Sequence, residues 1–183
     1  MSISNQNPNF ELIRQWAEAR NLIKGATPQA QFVKLIEEFG EFTTGLGALD
    51  TDEIKDGLGD TVVVLTILAA QLGTTIEDCI QYASDNDEEV AMLNVEDTLT
   101  CAVRLTMNYF SYLATGISKK TPVLVARGIG NSYITLETAA NCLNMDFDEC
   151  IQMAYDEIKD RKGKMVDGVF IKEADFASMG ITE

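Results

Sequence analysis

Apolar positions recur at three- and four-residue spacing along almost the whole chain, the period of helices that bury one face. Phe10, Ile13, Trp16 and Ala17 make the first such stripe. Thr27 before Pro28 marks a cap and a first turn, and the helix it opens carries Phe32, Leu35, Ile36, Phe39 and Phe42, with Gly45 and Gly47 expected to close it. Asp50 with Glu53 three residues later resembles a capping box for a third helix that runs to about Leu72-Gly73. A fourth is expected from about Ile76 to Ala91, Thr121-Pro122 repeats the cap-and-proline pair, and Phe147 to Asp160 reads as the last long helix. Only Met165 to Phe170 differs in kind, because Asp167-Gly168 between apolar pairs favours a short hairpin. The expected fold class is all-α, a helical bundle.

The pattern also repeats. Displacing the sequence by 71 positions carries Thr44-Gly45-Leu46 onto Thr115-Gly116-Ile117, Gly57-Leu58-Gly59-Asp60 onto Gly128-Ile129-Gly130-Asn131, and Cys79-Ile80-Gln81 onto Cys150-Ile151-Gln152. A gapless register of this length exceeds what helical periodicity alone produces, so the chain reads as an internal duplication, with a first copy at 1–89 and a second copy plus tail at 90–183 packed as one globular unit. The same displacement carries Glu37 to Asn108, Glu38 to Tyr109, Glu41 to Tyr112, Asp56 to Arg127 and Asp60 to Asn131. The second copy therefore loses every acidic side chain that sets the first apart, and its tyrosines are expected to fill the space.

Those acidic side chains carry the candidate chemistry. On a helix Glu38 and Glu41 lie roughly 60° apart and Glu37 and Glu41 roughly 40° apart, so all three can face one way. Asp56 and Asp60 are one turn apart, and Asp60 opens the apolar run Thr61 to Ala70. Carboxylates gathered at the edge of a buried helix repel unless a cation joins them. With no histidine in the chain, an all-oxygen set suits magnesium, with manganese as the alternative ion, rather than zinc or copper. A solvated acidic face is the plain alternative.

Lys34-Leu35-Ile36-Glu37-Glu38-Phe39-Gly40-Glu41 resembles the first signature of MazG-like nucleotide pyrophosphohydrolases. That family continues with Glu-x-x-Asp opening an apolar helix; Asp60 fills the Asp position, while Gly57 stands where the Glu would be and Asp56 is the candidate replacement. Trp16 to Asn21, Gln31 and the tail from Glu157 to Phe170 extend the likeness over about residues 10–72 and 150–172. The resemblance implies an all-α pyrophosphatase bundle that cleaves a nucleoside triphosphate between its α- and β-phosphates, giving the monophosphate and pyrophosphate. Glu38, Glu41 and Asp60 would hold magnesium, Glu37 and Asp56 would complete the shell or orient the attacking water, and spacing leaves open which carboxylate acts as base. Lys34, Lys159, Arg161 and Lys162 are the cations expected near phosphate, and Trp16 or Tyr82 offers a ring on which a base stacks. The family assembles by packing helical subunits around its sites, so the degenerate copy is expected to act as a built-in partner and the chain to form a homodimer of such pseudo-dimers.

Composition narrows the classes. A formal charge of −15 repels nucleic acid and anionic membrane, though a small polyphosphate met by metal and local cations is still accommodated. No apolar run reaches the roughly 18 residues of a span, and the polar start lacks a signal-peptide pattern, so a cytoplasmic location is expected. Cys79, Cys101, Cys142 and Cys150 show no Cys-x-x-Cys spacing and are expected as reduced core thiols. A carboxylate-bridged di-iron bundle would need Glu-x-x-His pairs, which a chain without histidine cannot supply. The reading that competes with the hydrolase is a non-catalytic duplicated bundle that binds a nucleotide or a protein partner, with Gly57 as its support.

Overall fold

The computed structural model describes residues 7–86 and 98–180, and the described residues form an all-α bundle with one small hairpin. In order these are α1 (Asn9–Ala19), α2 (Leu22–Gly25), α3 (Pro28–Ala48), α4 (Thr51–Gln71), α5 (Ile76–Asn86), α6 (Thr98–Lys119), α7 (Pro122–Cys142), α8 (Phe147–Ile158), β1 (Gly163–Val166) and β2 (Val169–Lys172). The expected extension of α5 to Ala91 and the boundary at 89/90 fall outside the described residues.

Local chemistry explains most boundaries. The Thr27 hydroxyl accepts from Ala30 N–H at 3.1 Å before Pro28 opens α3, and Asp50 accepts from Asp52 and Glu53 N–H at 3.1 and 3.2 Å to open α4. Thr121 stands at the same place before Pro122 but its hydroxyl makes no cap bond. Gly45 and Gly47 do not end α3. The helix runs on to Ala48 and stops because Leu49 turns left-handed (φ 58°), which lets Asp50 N–H reach back to Gly45 C=O at 3.0 Å. The hairpin forms as expected, Asp167 and Gly168 both taking positive φ in a two-residue turn that pairs Val166 with Val169.

The 71-residue displacement relates the helices as well as the letters. α4 maps onto α7 end to end, Leu49 and Lys120 both stop a helix at positive φ, and Gly73 and Asn144 do so again. The copies nevertheless exchange their last helices: α5 packs on α7 and α8 packs on α4, while α5 lies only lightly against α4 and α8 only lightly against α7. Gly59 and Gly130 permit the exchange. A Cβ on Gly59 would stand 2.3 Å from Cys150 O, and one on Gly130 2.0 Å from Cys79 O, so α8 and α5 ride directly on the glycines of the opposite copy. Phe39 and Phe110, equivalent positions, meet edge to face at 5.1 Å, as expected at a local two-fold. α4 supplies the centre of the core, with every residue from Thr61 to Ala69 buried.

No single helix among the described residues is long and apolar enough to cross a membrane. Only Cys79 and Cys150 are core thiols, burial pushing them up to about 12 and about 11; Cys101 is half-buried and Cys142 exposed, which corrects the expectation of four buried thiols.

Candidate active site

A cavity of about 490 Å³ opens between α3, α4, the end of α8 and the hairpin. Its acidic side is set by α3 and α4. Glu38 is 4% exposed, although a carboxylate is seldom buried without a partner, and its partner is Lys34: Nζ lies 2.6 Å from Glu38 Oε1 and 3.1 Å from Glu37 Oε1. Burial raises the Glu38 pKa, Lys34 pulls it back down, and neighbouring Glu41 adds to the rise. Burial likewise works to lower the Lys34 pKa, but its bonds and charge interactions with Glu38 and Glu37 outweigh this and raise it. Asp60, half-buried across from Glu38, is pushed up to about 7, first by burial and then by the charges of Glu38, Asp56 and Glu157, with Arg161 opposing. Three carboxylates, Glu37, Glu38 and Asp60, and three cations, Lys34, Arg161 and Lys172, line the cavity.

The structure brings together part of the sequence-derived set. Lys34, Glu37, Glu38, Asp60, Arg161 and Trp16 line the cavity; Glu41, Asp56, Lys159 and Lys162 do not. Glu41 is exposed on α3, Lys159 Nζ pairs instead with Asp156 at 2.6 Å, and Lys162 is exposed. Asp56 faces α8, where partial loss of hydration and then Glu157 and Glu38 raise its pKa. Tyr82 lines a separate groove beside the start of α7. Trp16 is a cavity wall, but its ring already carries the Arg20 guanidinium 4.7 Å from the centroid and the edge of Phe170 at 6.2 Å.

Gly57 has a packing reason. A Cβ there would come within 2.5 Å of Phe42 N and 2.7 Å of Phe42 Cα, so the crossing of α3 over α4 excludes any side chain at that position. Gly128 sits in the same way over Leu113 in the second copy. A carboxylate of the opposite copy stands near these residues: Glu157 on α8 raises the pKa of both Asp56 and Asp60 and pairs with Arg161. Glu157, Lys172 and Phe170 are the site residues that the helical spacing missed, the last two lining the cavity from β2. Their only sequence signal was the tail, whose return to α1 and α3 no local pattern records.

The equivalent place in the second copy is filled. Tyr109 is buried, its ring lies 6.1 Å from that of Tyr112, and the Arg127 guanidinium stacks on Tyr112 at 4.7 Å. Asn131, buried where the first copy has Asp60, donates to the Arg127 carbonyl at 3.0 Å.

Haemophilus phage HP1 encodes an uncharacterized 18.2 kDa protein, from its rep-hol intergenic region, that is 34% identical to this chain over 152 residues. The match takes in 78% of this chain and 93% of the phage protein. The chain belongs to that protein's family. No family model matches the chain, and no solved structure does. The name of the phage relative carries no activity, so the chemistry of this family member rests on its cavity.

The donor set of that cavity fits a hard divalent cation in kind, since every candidate ligand is a carboxylate. Among the described residues no three of these carboxylates converge as a metal-binding group, Lys34 being the cation that Glu38 holds.

Proposed function

We propose that the chain hydrolyses a nucleoside triphosphate, or a deoxynucleoside triphosphate, to the monophosphate and pyrophosphate with magnesium as cofactor and manganese as a substitute. The observation that supports this most is one cavity with three kinds of wall. Glu38 and Asp60 stand at its acidic side, Arg161 and Lys172 bring cations from the tail, and Val64, Ile67, Leu22 and Phe170 give an apolar surface. A polyphosphate carrying a flat heterocycle needs all three. Glu38 and Asp60 would hold the ion, with Glu37, Glu41, Asp56 and Glu157 within the same acidic surroundings to complete its shell or orient water. Magnesium held there would neutralise charge on phosphate oxygens and would lower the pKa of nearby water. A water attacks the α-phosphorus, the bond from the α-phosphorus to the bridging oxygen breaks, pyrophosphate leaves, and the proton of the water passes to a carboxylate of the cluster. Arg161 and Lys172 meet the charge that accumulates on the leaving pyrophosphate. The second copy contributes α8, Arg161 and the hairpin, so it acts as scaffold and wall for the site of the first.

A second reading, a nucleotide-binding bundle without turnover, is favoured by the Lys34–Glu38 pair and by the absence, among the described residues, of three converging carboxylates. Pyrophosphate release from a panel of ribo- and deoxynucleoside triphosphates separates the two, with magnesium and with chelator, for the parent, Glu38→Gln and Asp60→Asn. Hydrolysis predicts metal-dependent release that falls by at least about a hundredfold in both variants. Nucleotide binding without release in folded parent protein would establish the bundle instead.

A further inference from the structure

We infer that Arg20 is a positioning residue: it holds the C-terminal wall of the cavity against α1 and thereby sets how tightly the substrate binds. Arg20 stands at the end of α1 and its side chain reaches across to the other end of the sequence. Nε–H donates to Arg161 C=O at 2.8 Å, one terminal nitrogen donates to Lys159 C=O at 3.2 Å, and the other to Trp16 C=O at 3.4 Å. The face of the same guanidinium lies 4.7 Å from the centre of the Trp16 ring.

Each contact has a chemical reason. Lys159 caps the C-terminus of α8, where the last carbonyls have no helical donor, and a cation beside them is favoured by the helix dipole as well as by the hydrogen bonds. A guanidinium is the one side chain that offers planar, divergent donors to three carbonyls and a weakly hydrated face to an indole at once; a lysine ammonium cannot do both. Arg20 is half-buried, and burial lowers its pKa while Asp160 opposes.

What it holds matters to the cavity. Arg161 and Ile158 line it from the end of α8, and Val169, Phe170 and Lys172 line it from the hairpin that leaves Arg161 two residues later. Phe170 closes on the edge of Trp16, the ring on which Arg20 rests. One side chain therefore ties the apolar wall at Trp16, the cation at Arg161 and the root of the hairpin into a single piece. Without it the wall keeps its residues and loses its anchor on α1, which weakens binding of substrate and transition state alike and leaves the chemical step as it was.

The inference rests on the nucleotide reading for its effect on substrate, so its test has an arm that does not. Amide hydrogen exchange is measured on nucleotide-free parent, Arg20→Lys and Arg20→Ala, comparing Gly163–Lys172 with α4. Steady-state pyrophosphate release gives KM and kcat for the same proteins. The expected result is exchange in the hairpin at least about tenfold faster in Arg20→Ala with α4 unchanged, and KM raised about tenfold with kcat within about twofold. Arg20→Lys, which keeps charge and stem, falls between and covers the case in which the alanine variant does not fold. Unchanged hairpin exchange in both variants overturns the inference. So does faster exchange with an unchanged KM. A parent that releases no pyrophosphate overturns the proposed function; hairpin exchange then decides the anchor, and KM is replaced by calorimetric Kd for a triphosphate in the same three proteins.

Discussion

Asp60 shows how one residue can report on its site before any ligand is added. Its carboxyl is ordinarily near 3.8 and is pushed up to about 7 in the folded chain, so in the metal-free protein the folded state holds its proton more tightly than the unfolded state. Such a group contributes stability that is fully present below about 4 and is lost as the pH climbs through about 7. Asp60→Asn keeps the shape and removes the charge. Parent and variant are therefore expected to have the same denaturant midpoint near pH 4, and by pH 8 the variant is more stable by on the order of 2 kcal/mol, a figure reduced for the solvent that reaches this half-buried group. If magnesium binds at Asp60 as proposed, its addition is expected to remove the variant's advantage. A difference between the two that stays flat from pH 4 to 8 in chelator would contradict the raised pKa and the burial that is its first cause. Of the five acidic residues taken from spacing, Glu37, Glu38 and Asp60 line the cavity, while Glu41 and Asp56 do not. Their burial was not legible in that spacing: helical angles put Glu38 and Glu41 on similar faces, yet the packing of α3 leaves Glu38 enclosed and Glu41 exposed.

At the scale of elements, the crossing of α3 over α4 positions Glu38 opposite Asp60, and Gly57 is what allows it. Gly57→Ala would gain helix propensity worth up to about 1 kcal/mol but would force apart two backbones that a Cβ meets at 2.5 Å, so a net loss of about 2 kcal/mol is expected. Gly40, on the same α3, is the control, because a Cβ added there would meet nothing within 4 Å: Gly40→Ala should stabilise by about 0.5–1 kcal/mol. Urea denaturation of the two variants beside the parent decides it. Equal gains in both would mean that the helices do not approach so closely. Sequence reasoning treats glycine as punctuation, which is why Gly45 and Gly47 read as the stop of α3. In the structure Gly45 lies inside the helix, where a Cβ would stand 2.9 Å from Ile54 N, and the stop is made by Leu49. Periodicity shows which face of a helix is buried; close approach of two backbones leaves no mark in it beyond the glycine itself.

For the whole molecule, the exchange of α5 and α8 between copies is the feature that periodicity could not reveal, because the same apolar stripe fits either copy. Its consequence is a strong expectation about the first half taken alone. In the intact chain α4 is covered by α8, and α1 is held to α8 by Asn7 Nδ2 donating to Asp148 Oδ1 at 2.6 Å and Asn9 Nδ2 donating to Gln152 Oε1 at 3.1 Å. The displacement by 71 puts Glu77 and Gln81 at those two acceptor positions and Cys79 and Ala83 where α8 lays Cys150 and Ala154 against Gly59. A chain of residues 1–90 thus carries, in its own α5, a near copy of the surface that α4 needs, but on a helix that reaches only a neighbour. Such a fragment is expected to be a helical homodimer by sedimentation, with Gly59→Leu driving it to an unfolded monomer, since each half alone leaves the apolar side of α4 in water. Residues 91–183 should be rescued from aggregation by mixing with the first fragment, and the mixture should recover a single cooperative unfolding transition. A first-half fragment that folds stably as a monomer would mean that α5 can close on its own α4, and the exchange would then be one of two packings open to the chain rather than the one its glycines specify. The dimer would also separate the two roles of the second copy: it retains Glu38 and Asp60 but has Asn86 in place of Glu157 and lacks Arg161 and the hairpin, so divalent ions would still bind while the affinity for triphosphate falls.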